Sequence, residues 1–379
     1  MDYTITKGKA EDYEDIIDFA NYVFGVDFPS LLPKLYKDRK VTAQYHHIVK
    51  EDPRIKAMVG SFPLGLKVCD NYLKVAGIGS VSVHKYSRHS GYMKLLMNNA
   101  ISEMNTNNCD MAVLGGQRQR YEYWGFTPCG IKIELNFNSS NIKHTHIVTK
   151  DNYEFIEYNL GNAIDLDKAI KLHASQITHA IREGSDFIDI CSSWNNTVLF
   201  VYINGAFCGY ICADEKHEKI SEIVLTANGK IDEVITSFMK HFTLETMSMV
   251  MYLHRSEEFM KLSTLCESYT LKACCNIYII NYINVIKAFM DLKSTNASLC
   301  DGTLIIDVKE KGRYRIEVRD RDISVKETEL PYDISLSHLE ASALLFSPSS
   351  FINSEYKSTN PLIKAWFPLP LYFAEIDNL

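Results

Sequence analysis

The spacing of apolar residues changes period several times along the first 147 residues, and each change marks an element. In EDYEDIIDFANYVF, residues 11–24, Tyr13, Ile16, Ile17, Ala20, Val23 and Phe24 recur at helical spacing and predict an amphipathic helix. The next stretch, GVDFPSLLPKLY, is broken by Pro29 and Pro33 and reads as a loop with a short helix, shaped like a lid. HHIVKED and KAMVGSFPLGLKV read as strands joined by a turn around Asp52 and Pro53, and YLKVAGIGSVSV as a further strand. Met93, Leu96, Met97, Ala100, Ile101 and Met104 then return to helical spacing, most simply as a core stripe. CDMAVLGG reads as a buried strand, YEYWGF as the start of a short helix, and CGIKIELNF as the strand that closes the unit. This order predicts a mixed α/β sheet domain over residues 1–147.

After a polar stretch the order partly repeats. LDKAIKLHASQI is helical, TVLFVYINGAFCGYICADE is a hairpin around Asn204-Gly205, and strands and helices alternate as far as CCNIYIIN. Residues 148–282 therefore read as a second, similar unit. From residue 283 a helix, a run of alternating strands with turns at Lys311-Gly312 and near Asp320, another helix and a Pro-rich aromatic tail suggest a small α+β third domain, 283–379.

Composition narrows the classes. The chain is 46% hydrophobic and 23% charged, as soluble globular proteins are. Its net charge of -7 argues against a nucleic-acid partner. The ten cysteines form no CxxC pair, and the N-terminus is charged from its second residue, so a cytoplasmic protein with reduced thiols is expected. The most apolar stretch, ACCNIYIINYINVIKAFM, carries three asparagines and a lysine and does not read as a membrane span. His46-His47 and His144-Thr145-His146 lack metal-ligand partners, so no metal is expected.

The chemistry concentrates between the strand ending at Val83 and the helix after Gly91. Arg88-His89-Ser90-Gly91-Tyr92-Met93 is a basic turn at a helix start. Free backbone N–H groups and the helix dipole favour an anion there, Gly91 lets a phosphate approach, and Arg88 adds charge. The turn suits a pyrophosphate.

This stretch resembles the acetyl-CoA motif of the GNAT N-acetyltransferases, a strand followed by (Q/R)xxGx(G/A), with Met93 where Gly or Ala is usual. MAVLGGQRQRYEYWGF resembles the family's next strand and aromatic helix, with Tyr121, Tyr123, Trp124, Gly125 and Phe126 matching. The layout is similar to the Eis-like subfamily: two tandem GNAT-type mixed-sheet domains, the second without the cofactor loop, then a sterol-carrier-like α+β domain.

That resemblance implies an acetyl-CoA-dependent N-acetyltransferase acting on a primary amine, and a homo-oligomer of which the subfamily's form is a hexamer. It implies Tyr121 as general acid and the terminal carboxylate, here Leu379, as base. A phenol with a pKa of about 10 stays protonated at neutral pH, whereas a carboxylate near about 3.5 must accept the ammonium's hydrogen bond and relay its proton, through water where needed. Backbone N–H groups of Val81, Ser82 and Val83 would orient the cofactor and polarise its carbonyl. Asp27, in the lid-like stretch, is a candidate for the amine, and the acidic tail FAEIDNL would attract cations. The competing reading is a carrier of apolar ligands built from degenerate transferase domains, which would have no use for a pyrophosphate turn.

Overall fold

The computed structural model describes residues 3–51, 53–145, 151–159, 161, 163–352 and 360–379. His146, Asp52 and the expected 147/148 boundary lie outside the described residues. The first stretch runs β1 (Thr4–Lys7), α1 (Tyr13–Phe24), α2 (Phe28–Leu31), α3 (Pro33–Tyr36), β2 (His46–Glu51), β3 (Arg54–Val68), β4 (Asn71–Val83), α4 (Tyr92–Thr106), β5 (Met111–Leu114), α5 (Arg118–Tyr121), β6 (Thr127–Cys129) and β7 (Lys132–Asn138). The next strands are β8 (Tyr153–Glu157), β9 (Thr178–Ala180), β10 (Asn196–Ile203), β11 (Ala206–Asp214), β12 (Lys219–Leu225), β13 (Thr246–Tyr252), β14 (Ser268–Lys272) and β15 (Cys275–Ile279). The last are β16 (Gly302–Val308), β17 (Gly312–Arg319), β18 (Asp322–Glu327) and β19 (Ile334–Leu336).

They form three mixed sheets, ordered β1-β2-β3-β4-β5-β15-β6 with β9 on β3, then β14-β7-β13-β12-β11-β10-β8, then β18-β17-β16-β19. One reading of the sequence needs correction. CGIKIELNF does not close the first sheet: β7 pairs with β13 and β14 in the second, and β15 of the second unit closes the first against β5 and β6. The crossing is at Gly130, which has φ +70°, where a Cβ would lie 2.2 Å from Cys274 Sγ. The two chain crossings, at Gly130 and Cys274, thus pass too closely for any side chain at Gly130.

The first sheet is buried on both faces, as the continuous apolar run MAVL requires. Ala76, Ile78, Ala112 and Leu114 face α4, packing with Leu96, Met97, Ala100 and Met104. Leu73, Val75, Met111 and Val113 point the other way and share a core with Val285, Phe289 and Leu292 of the helix Tyr282–Asn296 and with the third sheet. The methionine stripe is core, as its spacing predicts. The C-terminal tail is docked along its length: Trp366, Leu369 and Ile376 are fully buried, and Leu371 and Phe373 nearly so.

Candidate active site

β4 and β5 run parallel only from Val75↔Met111 to Ile78↔Leu114, and there the pairing stops. Just beyond, β4 bulges. Met58 pairs with Ser82 and Gly60 with Gly79, so Ser80 and Val81 together face Val59, and Ser80 takes φ +52°. A non-glycine residue in that region is held by its surroundings. Here Ser80 Oγ lies 2.5 Å from Tyr36 Oη, which in turn lies 3.0 Å from His46 Nε2. Burial pushes the His46 pKa down to about 4, so the ring is neutral and serves as structure. The result is a splayed strand, Val81–Val83, whose side toward β5 is unpaired.

The basic turn follows directly. Arg88, His89, Ser90 and Gly91 are exposed. His89 and Gly91 have φ +73° and +79°, and Gly91 is the N-cap of α4. A Cβ added at Gly91 would meet no atom within 4 Å, so the left-handed backbone, not crowding by the protein, is what asks for glycine. Tyr92 is buried with its hydroxyl donated to Glu51, and Met93 is half-buried against the α4 core. Among the residues of the motif, Arg88–Gly91 are free to meet a ligand.

Tyr121 ends α5. Its ring packs on Gly116, where a Cβ would lie 2.9 Å from Cε2, and beside Trp124 at 6.4 Å between centroids. Burial raises its pKa, against an opposing pull from Arg120, so the phenol keeps its proton. Asn276, on the exchanged strand β15, donates to the Gly116 carbonyl at 3.1 Å, while its own Oδ1 is buried without a partner among the described residues. No local pattern in the sequence places β15 beside this site.

Leu379 reaches the same place from the other end of the chain. Its Cδ1 lies 2.3 Å from where a Cβ on Gly77 would stand, its carboxyl carbon 3.3 Å from one on Gly79, and its oxygen 4.0 Å from one on Gly115. The terminal carboxylate therefore sits where β4 and β5 part. The glycines of VAGIGS and LGG leave the room for it.

The tail is held by charge as well as packing. Arg182 donates to both oxygens of Glu222 at 2.8 Å and both of Asp377 at 2.9 Å. Lys34 Nζ donates to the carbonyls of Ile376 and Asn378 at 2.5 Å, Trp194 Nε1 to Asn378 at 3.1 Å, and Lys132 and Lys219 pair with Glu375. Burial outweighs the attraction of Asp377 and drives the Lys34 pKa down to about 7, with Arg182 pushing the same way. Lys34 thus titrates near 7 when folded and near 10.5 when unfolded, so between these values the unfolded chain binds more protons. This group makes stability rise as the pH is raised above 7. Lys34→Met should flatten that part of the rise, which thermal melts between pH 7 and 9 will show.

Leu379 also lines a cavity of about 740 Å³, together with Leu35, Tyr45, Phe62, Leu64, Ile181 and Asp377. Asp186 at its edge pairs with Arg39 at 2.7 Å, which leaves Glu183 exposed at the mouth with no ion pair among the described residues. Asp27 is exposed at the N-cap of α2, and its carboxylate accepts from Ser30. It does not line this cavity. Among the described residues Cys191, Cys212 and Glu222 are close enough to suggest a metal ion. The Arg182 guanidinium already neutralises Glu222 and lies 3.5 Å from Cys191 Sγ, so a cation is disfavoured there. No helix among the described residues is long and apolar enough to cross a membrane.

Residues 4–129 match the family described as Acetyltransferase (GNAT) domain. No curated protein matches the chain. Over its whole length the fold is similar to a GCN5-related N-acetyltransferase from Anabaena variabilis ATCC 29413 (14% identity, TM-score 0.72, 100% of each chain covered). It is also similar to Eis1 from Mycobacterium abscessus (10% identity, TM-score 0.68, 99% of this chain and 98% of that one). A probable N-acyltransferase from Enterococcus faecalis V583 is a third such structure (12% identity, TM-score 0.70, 98% of each chain). Residues 4–129 thus carry a match to the GNAT acetyltransferase domain, and the full-length fold is similar to that of Eis1 and the other GNAT structures.

Proposed function

We propose that the chain transfers the acetyl group of acetyl-CoA to a primary amine of a small molecule or peptide, by direct attack. The observation that carries this reading is the terminal carboxylate beside Gly79 and Gly115, at the parting of β4 and β5. The acceptor enters through the cavity that Leu379 lines. Its ammonium gives a hydrogen bond, and then a proton, to the Leu379 carboxylate, directly or through one water. The amine nitrogen bonds to the thioester carbon while N–H groups of the splayed Val81–Val83 segment hold the carbonyl oxygen. The C–S bond breaks, Tyr121 gives its phenolic proton to the departing thiolate and recovers one through water from the acylated nitrogen, and the Leu379 carboxyl releases its proton to solvent. Arg88 and the amides of His89–Gly91 hold the pyrophosphate. Asp27 is kept as a more distant contact for a polycationic acceptor, and the chain acts as a cytoplasmic homo-oligomer. Amine-dependent release of free thiol from acetyl-CoA tests the reading.

A further inference from the structure

The second sheet repeats the splay of the first. β12 and β13 are parallel but pair only at Lys219↔Ser248 and Ile220↔Met249, and then part. Beyond that point Val224 on β12 and Val250 and Tyr252 on β13 pack with Tyr372, Ala374 and Ile376 of the tail. The Tyr252 and Tyr372 rings meet at 4.2 Å. Glu222, also beyond the last paired residue, holds Asp377 through Arg182, whose side chain is 1% exposed. In the second sheet the gap is filled by Tyr372, Ala374 and Ile376 of the tail, whereas in the first only Leu379 at the tip of that tail reaches it.

We propose that the second sheet has become the seat of the catalytic tail, with Arg182, Glu222, Lys34 and Trp194 as positioning residues for the Leu379 carboxylate. The inference rests on the reading of that carboxylate as the base. A chain terminus frays unless it is tied down, and a base that wanders by about 1 Å can cost about a hundredfold in rate. Leu379 is two residues beyond Asp377, a reach of about 7 Å at most, so anchoring Asp377 and the Ile376 and Asn378 carbonyls leaves the carboxylate little freedom. The donors come from three separate places: Lys34 from α3, Arg182 from just after β9, and Trp194 from just before β10. Trp194 is itself fixed, at φ +64° and with its N–H donated to the Leu31 carbonyl at 2.7 Å.

The test combines Lys34→Met and, as the milder change, Trp194→Phe with deletion of Leu379. Turnover, acetyl-CoA affinity and the rate at which carboxypeptidase releases the C-terminal residues are measured in each chain. In the full chain each variant should lower kcat about tenfold, leave acetyl-CoA affinity within about twofold, and speed release of the terminus about tenfold. In the chain lacking Leu379 the same variants should cost less than about twofold further in kcat. Equal losses with and without Leu379, or an unchanged release rate in both variants, would overturn the proposal. Full activity without Leu379 would remove the base assignment, and faster release in the variants would still show a clamp.

Discussion

Deletion of Leu379 lowers kcat for acetyl transfer by about a hundredfold or more, the usual worth of a general base, and leaves acetyl-CoA affinity within about twofold. The new terminus, Asn378, carries a carboxylate set back by one residue, about 3.5 Å along the chain. It would also be captured. The Asn378 carbonyl already accepts from Lys34 and Trp194, so those donors would hold the new carboxylate away from Gly79 and Gly115. The side chain lost is only half-buried, so the fold should survive. Tyr121→Phe should act on the same quantity, because it keeps the ring against Gly116 and removes only the proton donor. Steady-state kinetics beside calorimetric titration with acetyl-CoA separate the two effects: a loss in affinity rather than kcat in both variants would remove these residues from the chemistry.

Arg182→Met has the largest expected effect on stability, a loss of about 3–5 kcal/mol at pH 7. The wild-type guanidinium compensates two carboxylates that are 2% and 6% exposed, Glu222 and Asp377. Removing it strands both, and Tyr210, which donates to Glu222 at 2.7 Å, cannot neutralise a charge. The loss should depend on pH. Burial works against ionisation of Glu222, but the charge and hydrogen bonds of Arg182 overcome it and bring the pKa to about 2, against 4.5 unfolded. This stabilisation is present above 4.5 and disappears as the pH falls through 2. In the variant the stranded Glu222 carboxylate protonates more readily, so the gap between the two proteins should narrow between pH 7 and 4. Denaturant midpoints measured across that range check both the size and the trend.

The elements were readable in the sequence because their apolar periods are strong. The helix carrying the stripe from Met93 to Met104, the strands around it and the hairpin at Asn204-Gly205 all stand where their spacing predicts. The basic turn was legible for the same reason: a helix start, a glycine and an arginine are local features. Sheet membership was not. Period 2 says that CGIKIELNF and CCNIYIIN are strands, but it cannot say that they change places, and the clue at Gly130 has meaning only beside Cys274. The docked tail was half legible, since WFPLPLYF is too apolar to hang free. Its anchors were not, because Lys34, Arg182 and Glu222 lie more than 150 residues from Asp377 and share no motif with it.

The most direct test of acetyl transfer is release of free thiol from acetyl-CoA by the purified chain across a panel of primary amines, beside the variant carrying Arg88→Ala and Gly91→Asp. Thiol release that requires an amine, is matched by acetylated product and is lost in the variant is the predicted result. Binding of acetyl-CoA without acetylation of any amine in the panel would contradict it, and would leave a chain that keeps the GNAT fold for carrying its ligand.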